Sequence, residues 1–376
     1  MMAGYDIIAQ AQSGVGKTAT FCIGALSRIN LEDNYTQIII LAHTREMAAQ
    51  IWAVMVSLNK YLNARVNLST ASIPYSQNIN ELLGVAPKRE VSSWGTRDKL
   101  ATTPDDNTTR DTSGPLVPQI IIGTPGRILD MTKQNALKTD RLKVLVLDEA
   151  DELLGDGFQD QIRSIISGLG PETQIALFSA TYNVGVFKLT RHFMNKPIRI
   201  LVKKEELTLD GIKQYYVNVL NNQYKFETLC DIYGVLTISQ TIIFCNNQRT
   251  VDYLARKMRA NNFTVACIHG DMSVVDREET MKEFRSGKSK VLIATDVIGR
   301  GIDVQSVSIV INYELPHKIS NYIHRIGRSG RYGRKGCGIN FICEDEADIA
   351  KLKQIQSYYH TEINELPAKL ETIIVE

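Results

Sequence analysis

The segment "IIAQAQSGVGKTATF" (residues 7–21) decides the fold, because a short apolar run leads through a glycine-rich loop into a helical pattern. Gly14 and Gly16 let backbone N–H groups turn inward around phosphate oxygens. Lys17 supplies a positive charge to the outer phosphates, and the Thr18 hydroxyl can reach a magnesium ion. The spacing predicts a nucleotide-phosphate loop; the alternative is a turn that only caps the following helix. The predicted contacts are Ala11, Gln12, Ser13, Gly14, Val15, Gly16, Lys17 and Thr18.

Short apolar runs rich in β-branched residues recur along the whole chain, with helix-length segments between them. They lie at 6–10, 37–42, 66–69, 119–123, 143–147, 174–178 and 198–202, and again at 241–245, 264–268, 290–294, 308–312 and 338–342. Runs without polar alternation are typical of strands covered on both faces, which means parallel sheets flanked by helices. In a chain of 376 residues this alternation predicts an α/β protein with two doubly wound domains.

Changes in composition suggest where the domains end. The charged stretch "KKEELTLDG" (203–211) is the predicted linker, between a first domain at 1–202 and a second at 212–376. The polar stretch "WGTRDKLATTPDDNTTRDTSGP" (94–115) has almost no apolar periodicity. It predicts an exposed insertion loop without a function of its own.

Charge and cysteine content narrow the class of protein. Lys plus Arg number 43 against 41 Asp plus Glu, so any nucleic-acid binding must come from local patches. The six cysteines form no CxxC pair, which predicts reduced thiols in an intracellular compartment and no zinc site. No apolar run approaches the ~20 residues that span a bilayer, and no secretory signal opens the chain. We expect a soluble, cytoplasmic monomer that does not contact membranes.

The stretch "KVLVLDEADELL" (143–154) places two carboxylates at the end of an apolar strand. Open parallel sheets bind their ligands at that edge. One of Asp148 and Glu149 can hold a magnesium ion through water, while its neighbour orients or deprotonates an attacking water. The alternative is that the two acids only complement the dipole of a following helix. Together with the phosphate loop, the stretch predicts nucleoside triphosphate hydrolysis.

The residues Asp148-Glu149-Ala150-Asp151 resemble the signature of the DEAD-box RNA helicases. Other motifs agree, in order: "HTREMA" (43–48), "TPGR" (124–127), "SAT" (179–181), "IIFCN" (242–246), "ATDVIGRGID" (294–303) and "HRIGRSGRYGR" (324–334). The resemblance covers about residues 4–367, with an interruption between about 69 and 118. Within the family, the sequence is similar in particular to the branch of translation initiation factor 4A. It implies two RecA-like domains, ATP and Mg²⁺ as cofactors, and RNA as the partner.

The resemblance also implies roles for individual residues. Asp303 would meet the ribose, Thr18 and Asp148 would hold the metal, and the implied catalytic set is Lys17, Asp148, Glu149, Arg328 and Arg331. Residues coupling the two domains would be Asp151, Ser179, Thr181 and His324. RNA contacts would be Thr44, Arg45, Thr124, Gly126 and Arg127 in the first domain, and Arg285, Thr295, Asp296 and Arg300 in the second. These contacts aim at phosphate and sugar, which suits sequence-independent binding of a single strand or short duplex.

Arg328 and Arg331 resemble the arginine fingers of the family, which neutralise charge on the transferred phosphoryl group. Their i, i+3 spacing places both on one face of a helical turn. Each glycine in this segment costs a helix about 1 kcal/mol, so we expect the helix to end around Gly330. The alternative is an exposed basic loop.

The chain departs from the family pattern in three places. Upstream of the phosphate loop the glutamine motif and an adenine-selecting aromatic residue are missing, which predicts weaker preference for ATP over GTP and an exposed apolar surface. The paired glycines that help hold RNA are absent around "STASIPYS" (69–76). The element at 274–277 lacks its glutamine, and Gly299 replaces an alanine.

The predicted function is an ATP-dependent RNA helicase, acting in translation initiation with scaffold proteins as further partners. A role in nuclear RNA processing is the other assignment within the same class. Two alternatives remain open from the sequence: an ATP-gated RNA clamp that turns over little, and an inert truncated relative.

Overall fold

The computed structural model describes residues 1–12, 14–83, 116–155, 157–182, 184–202, 211–235, 240–296, 307–330 and 335–367. The predicted insertion at 94–115 and residues 203–210 of the predicted linker lie outside the described residues. Compact contacts divide the chain into two units, the first formed by Met1–Ala9 and Thr18–Arg199 and the second by Gln10–Lys17 and Ile200–Glu376. The linker limits therefore stay a prediction.

In the described residues of the first half, seven strands are separated by helices, with two consecutive helices between β5 and β6. The strands are β1 (Ile7–Gln10), β2 (Ile38–Leu41), β3 (Val66–Ser69), β4 (Ile120–Gly123), β5 (Val144–Asp148), β6 (Gln174–Ser179) and β7 (Ile198–Ile200). The helices are α1 (Lys17–Leu26), α2 (Arg45–Leu58), α3 (Tyr75–Leu82), α4 (Pro125–Lys133), α5 (Ala150–Leu153), α6 (Gln159–Ser167) and α7 (Val184–Thr190).

The described residues of the second half repeat the pattern. The strands are β8 (Ile212–Asn218), β9 (Gln240–Cys245), β10 (Val265–Ile268), β11 (Val291–Thr295), β12 (Val307–Asn312), β13 (Gly336–Ile342) and β14 (Asn364–Glu365). The helices are α8 (Lys225–Val235), α9 (Gln248–Ala260), α10 (Val274–Arg285), α11 (Ile319–Ile326) and α12 (Glu346–Tyr359).

Each half forms one seven-stranded sheet, in the orders β3-β4-β2-β5-β6-β1-β7 and β10-β11-β9-β12-β13-β8-β14. Strands β3, β4, β2, β5 and β6 pair in parallel, as do all seven strands of the second sheet. The predicted α/β class with two parallel, doubly wound sheets is confirmed. Every predicted run contains a strand, whereas β8 and β14 were not predicted.

The central strands show why these sequences form doubly wound sheets. Every residue of β2, β4 and β5 is buried. Ile39 and Leu41 of β2 join one apolar cluster, while Ile38 and Ile40 join the cluster on the opposite face. Side chains alternate across a strand, so an unbroken apolar run supplies both faces with core residues.

The cysteines and the length of the helices can be compared with what the composition predicts. All six cysteines lie among the described residues and none forms a disulfide. Among the described helices, none combines the length and the apolar character that crossing a membrane requires.

Asp6 anchors the first strand to its neighbours, and replacing it with alanine should destabilise the first unit. Its carboxylate is buried and accepts the backbone N–H groups of Ile175 and Asn195, both at 2.7 Å. Losing both bonds should cost about 3 kcal/mol of unfolding free energy. Urea denaturation followed by tryptophan fluorescence measures this, because both tryptophans lie in the first half. Asp6→Asn keeps one acceptor oxygen and should lose less; an Ala variant with the wild-type midpoint would contradict the assignment.

Candidate functional site

The phosphate loop joins the end of β1 to the start of α1. Gly14 and Gly16 have φ values of 86° and 96°, a region that side chains rarely adopt, so both glycines are required by the backbone. The Lys17 ammonium donates to the carbonyl oxygens of Ala11 at 2.8 Å and Gln12 at 3.4 Å. The loop therefore curls around the lysine in front of a helix N-terminus, which is the arrangement that binds phosphate. Ser13 lies outside the described residues.

The predicted acidic pair lies where β5 ends. Asp148 and Glu149 are both buried, and the Glu149 N–H donates to Asp148 Oδ1 at 3.1 Å. Glu149 adopts the left-handed conformation, with φ 50° and ψ 55°, immediately before α5. Such a conformation is costly for a residue with a side chain and is found disproportionately at functional sites. Carboxylate and hydroxyl oxygens are the ligands that Mg²⁺ prefers, so Asp148 and Thr18 fit the implied metal.

Asp151 connects this acidic segment to the last residue of β6 and to the segment that follows it. Its Oδ1 accepts the Ser179 hydroxyl at 2.6 Å, and its Oδ2 accepts the Thr181 hydroxyl at 2.5 Å. The Thr181 N–H in turn donates to Ser179 Oγ at 3.1 Å. The structure thus brings these three predicted coupling residues together, and two short hydrogen bonds join the acidic segment to the end of β6.

Tyr182 is a residue of this site that the sequence did not single out. Burial, reinforced by the carboxylates of Asp151, Glu149 and Asp148, raises the pKa of its phenol well above the ordinary value. Its hydroxyl donates to the carbonyl oxygen of Ala9 at 3.3 Å, which ties the segment after β6 to β1. A tyrosine after a Ser-Ala-Thr stretch carries no sequence signal for this position.

Two predicted RNA segments of the first unit begin helices at one edge of the sheet. Thr44 caps α2, where its hydroxyl accepts the Met47 N–H at 3.2 Å, and Arg45 follows it. Thr124 precedes α4, which contains Gly126. Because β2 and β4 are parallel neighbours, both helix starts lie at the carboxyl edge of the sheet.

Arg127 is held by the segment in which the paired glycines are absent. Its Nη2 donates to the carbonyl oxygen of Ile73 at 2.9 Å, and its guanidinium lies over the ring of Tyr75 at 5.2 Å. A cation over an aromatic face is stabilised electrostatically. This segment therefore fixes the arginine, and a bound strand would meet a positioned guanidinium.

Of the second-unit RNA residues, the structure separates Arg285 from Thr295 and Asp296. Thr295 ends β11 and Asp296 follows it, whereas Arg285 ends α10, before β11 begins. Gln240, the first residue of β9, donates to the carbonyl oxygen of Phe284 at 2.6 Å, which places this helix end at the amino edge of the sheet. A strand of five residues spans ~13 Å, so Arg285 lies at the opposite edge of the sheet from Thr295, and its contact with RNA stays a prediction. Arg300 and Asp303 lie outside the described residues.

Asp296 is already bound by a residue that the sequence did not single out, Arg325. The Nε of Arg325 donates to Asp296 Oδ1 at 2.5 Å and its Nη2 to Oδ2 at 2.9 Å. The Asn321 amide adds a bond to Oδ2 at 2.8 Å. Both carboxylate oxygens therefore accept hydrogen bonds within the second unit, so Asp296 helps to hold the local structure, and its contact with RNA stays a prediction.

The helix that carries the predicted fingers ends earlier than expected. Helix α11 ends at Ile326 with Gly327 as its C-cap, and tighter turns continue to Ser329. Arg328 therefore lies beyond the helix, and the prediction that the helix continues to about Gly330 is wrong. Its Nε donates to the carbonyl oxygen of His324 at 2.9 Å. Arg331 lies outside the described residues.

Comparison with known families covers most of the chain. The family model described as "DEAD/DEAH box helicase" matches residues 1–189, and that described as "Helicase conserved C-terminal domain" matches residues 224–333.

Relatives and solved structures agree with the family models. The chain is 48% identical to "Eukaryotic initiation factor 4A" of Caenorhabditis elegans, over 99% of this chain and 84% of that protein. It is 47% identical to "ATP-dependent RNA helicase FAL1" of Yarrowia lipolytica, over 98% of this chain and 85% of that protein. The structure of S. cerevisiae Dbp5 bound to RNA and ADP BeF3 is similar with a TM-score of 0.82 and 33% identity, covering 98% of this chain and 87% of that one.

Proposed function

The chain belongs to the DEAD/DEAH box helicase family, and on that premise we propose that it is an ATP-dependent RNA helicase, an RNA-stimulated ATPase that locally parts short duplexes. The observation that carries the proposal is Asp151, whose two oxygens bind Ser179 and Thr181. A site that only binds magnesium does not need a hydrogen-bonded connection between the acidic segment and the end of β6. An enzyme whose acidic segment must respond to a second ligand does need such a connection.

The phosphate loop and the acidic segment after β5 supply the groups for hydrolysis. Lys17 neutralises the outer phosphates of ATP, and Thr18 with Asp148 holds Mg²⁺, directly or through water. Glu149 accepts a proton from the attacking water or orients it. When bound, the metal would neutralise charge on the phosphates. Side chains of this protein bind the nucleotide and handle the proton of the attacking water.

The second unit contributes charge and ribose recognition. We propose that Arg328 and Arg331 neutralise the transferred phosphoryl group and that Asp303 meets the ribose. His324, whose carbonyl holds Arg328, joins Asp151, Ser179 and Thr181 in coupling ATP to RNA.

RNA binding is proposed to use phosphate and sugar contacts without base reading. The residues are Thr44, Arg45, Thr124, Gly126 and Arg127 in the first half of the chain, and Arg285, Thr295, Asp296 and Arg300 in the second. Such contacts grip a strand of any sequence. From the likeness to initiation factors we place the action in translation initiation in the cytoplasm, with scaffold proteins as partners and a monomeric chain.

Phosphate release from ATP, measured with and without single-stranded RNA, tests this proposal. We expect release to rise at least about tenfold with RNA, and to be abolished by Glu149→Gln. RNA retention in the presence of ATP without turnover would instead support the RNA clamp. The absence of both signals would overturn the proposal.

A further inference from the structure

A chain of buried polar side chains crosses the core of the second unit, starting at Arg325. This guanidinium has five N–H bonds, and all five are used. Besides Asp296, they reach the Asn246 side chain at 2.8 Å, the Asn312 side chain at 3.1 Å and the Glu314 carbonyl at 2.7 Å. The end of α11 is therefore fixed to three separate segments at once.

The direction of each following hydrogen bond is forced. Arginine has no acceptor, so Asn312 must present its oxygen to Arg325 and turn its amide nitrogen away. That nitrogen donates to Asn340 Oδ1 at 2.8 Å. Asn340 in turn donates to the Tyr215 carbonyl at 2.8 Å and the Tyr322 hydroxyl at 3.2 Å.

The same logic continues to the C-terminal side of the unit. Because the Tyr322 hydroxyl accepts from Asn340, its own proton goes to Gln214 Oε1 at 2.8 Å. Gln214 then donates to the Thr361 hydroxyl at 2.9 Å. Burial raises the pKa of the Tyr322 phenol, so it remains a donor across the neutral range. Every donor points away from Arg325, and bonds aligned head to tail strengthen one another.

This chain does more than fill the core. Asn312 and Asn340 are fully buried in β12 and β13, where their neighbours Ile311 and Ile339 are aliphatic. An aliphatic side chain would pack there without the desolvation cost of an amide. What the amides add is one defined orientation of the Arg325 guanidinium.

We propose that Asn312, Asn340, Tyr322 and Gln214 are positioning residues for ATP hydrolysis, an inference that rests on the proposed function. They hold Arg325, which fixes Asp296 beyond β11 and the last turn of α11. Arg328 is bonded to the His324 carbonyl in that same turn. If the Arg325 guanidinium were not held in one orientation, the last turn of α11 and Arg328 with it could move. A displacement of a reacting group by about 1 Å can cost ~10²-fold in rate.

Tyr322→Phe tests the proposal, because it removes one hydroxyl and keeps the ring. We expect the RNA-stimulated kcat to fall roughly tenfold, with the KM for ATP within about twofold of the wild-type value. The matched control is Tyr359→Phe, an equally buried tyrosine whose hydroxyl donates to the Ile319 carbonyl at 3.0 Å and is not part of this chain of bonds. The control should keep the wild-type kcat, while its melting temperature should fall by as much as that of Tyr322→Phe.

Thr361→Val, at the far end and only half-buried, serves where Tyr322→Phe folds poorly. It should lower kcat in the same direction by about threefold, since one aligned bond is lost. If the wild type shows RNA-stimulated hydrolysis and both variants match the Tyr359→Phe control in kcat, the positioning role is overturned. A wild type without stimulated hydrolysis contradicts the proposed function instead.

Discussion

Glu149→Gln should reduce RNA-stimulated phosphate release by about 10²–10⁴-fold, the usual contribution of a positioned acid or base. Glutamine has the same shape but cannot take a proton from water. The left-handed backbone at this position costs the same for either residue, so the local structure should persist. ATP-dependent RNA retention should therefore remain, and phosphate release with labelled ATP measures the loss.

The matched control for this prediction is Glu152→Gln, on the same short helix. It makes the same chemical change at a half-buried position outside the proposed machinery. Its phosphate release should stay within about twofold of wild type, as expected for a substitution away from the reacting groups. Equal losses in both variants would show that the acidic segment acts through stability, and no loss in Glu149→Gln would remove the residue from the catalytic set.

The proposed catalytic residues after β1 and β5 stood out in the sequence because their chemistry is local. Glycines that permit positive φ, a lysine and a carboxylate pair after an apolar strand are all legible in a few residues. The backbone conformation of Glu149 and the hydrogen bonds of Asp151 could not be predicted from the sequence. Glu149 is left-handed and Asp151 binds two hydroxyls that lie about thirty positions along the chain. Contacts of that sequence separation depend on the strand order, which no local pattern states.

The two arginines of α11 and its following turn show the same limit more sharply. Arg325 and Arg328 are three residues apart in one motif, and the sequence gives both the same character. Both are buried, and the structure shows what compensates the burial of Arg325: all five of its N–H groups donate hydrogen bonds within the second unit. An arginine is expected at the surface unless it is paired. The pairing residue, Asp296, lies 29 positions earlier.

The fold was more predictable than the site, and its omissions have a physical reason. Unbroken apolar runs identified the central strands because parallel strands are covered on both faces. Strand β8 reads "IKQYYVN", with polar residues among the apolar ones, and follows directly on the charged stretch that suggested a linker. Its neighbour β14 has two exposed residues and pairs only with β8. Such a strand is defined by its partner rather than by its own sequence.

Arg325→Met should destabilise the second unit by about 3–5 kcal/mol, the usual cost of removing one partner of a buried ion pair. Methionine fills most of the space but donates no hydrogen bond. It leaves the Asp296 carboxylate without its cation, and the side-chain oxygens of Asn246 and Asn312 lose their donor. Arg325→Lys keeps the charge with three donors for five acceptors, so it should lose less.

Two optical signals localise this effect. Both tryptophans, Trp52 and Trp94, lie in the first half, so their fluorescence follows the first unit, while far-UV circular dichroism follows both. Urea titration of Arg325→Met should shift a circular dichroism transition to lower urea and leave the tryptophan transition in place. The matched control is Arg256→Met, on the exposed face of α9, which should move neither transition. A buried cation is costly unless every donor is satisfied. A variant as stable as wild type would therefore show that the five bonds of Arg325 do not compensate the cost of its burial. Arg325 would then not be the residue that the polar chain holds in place.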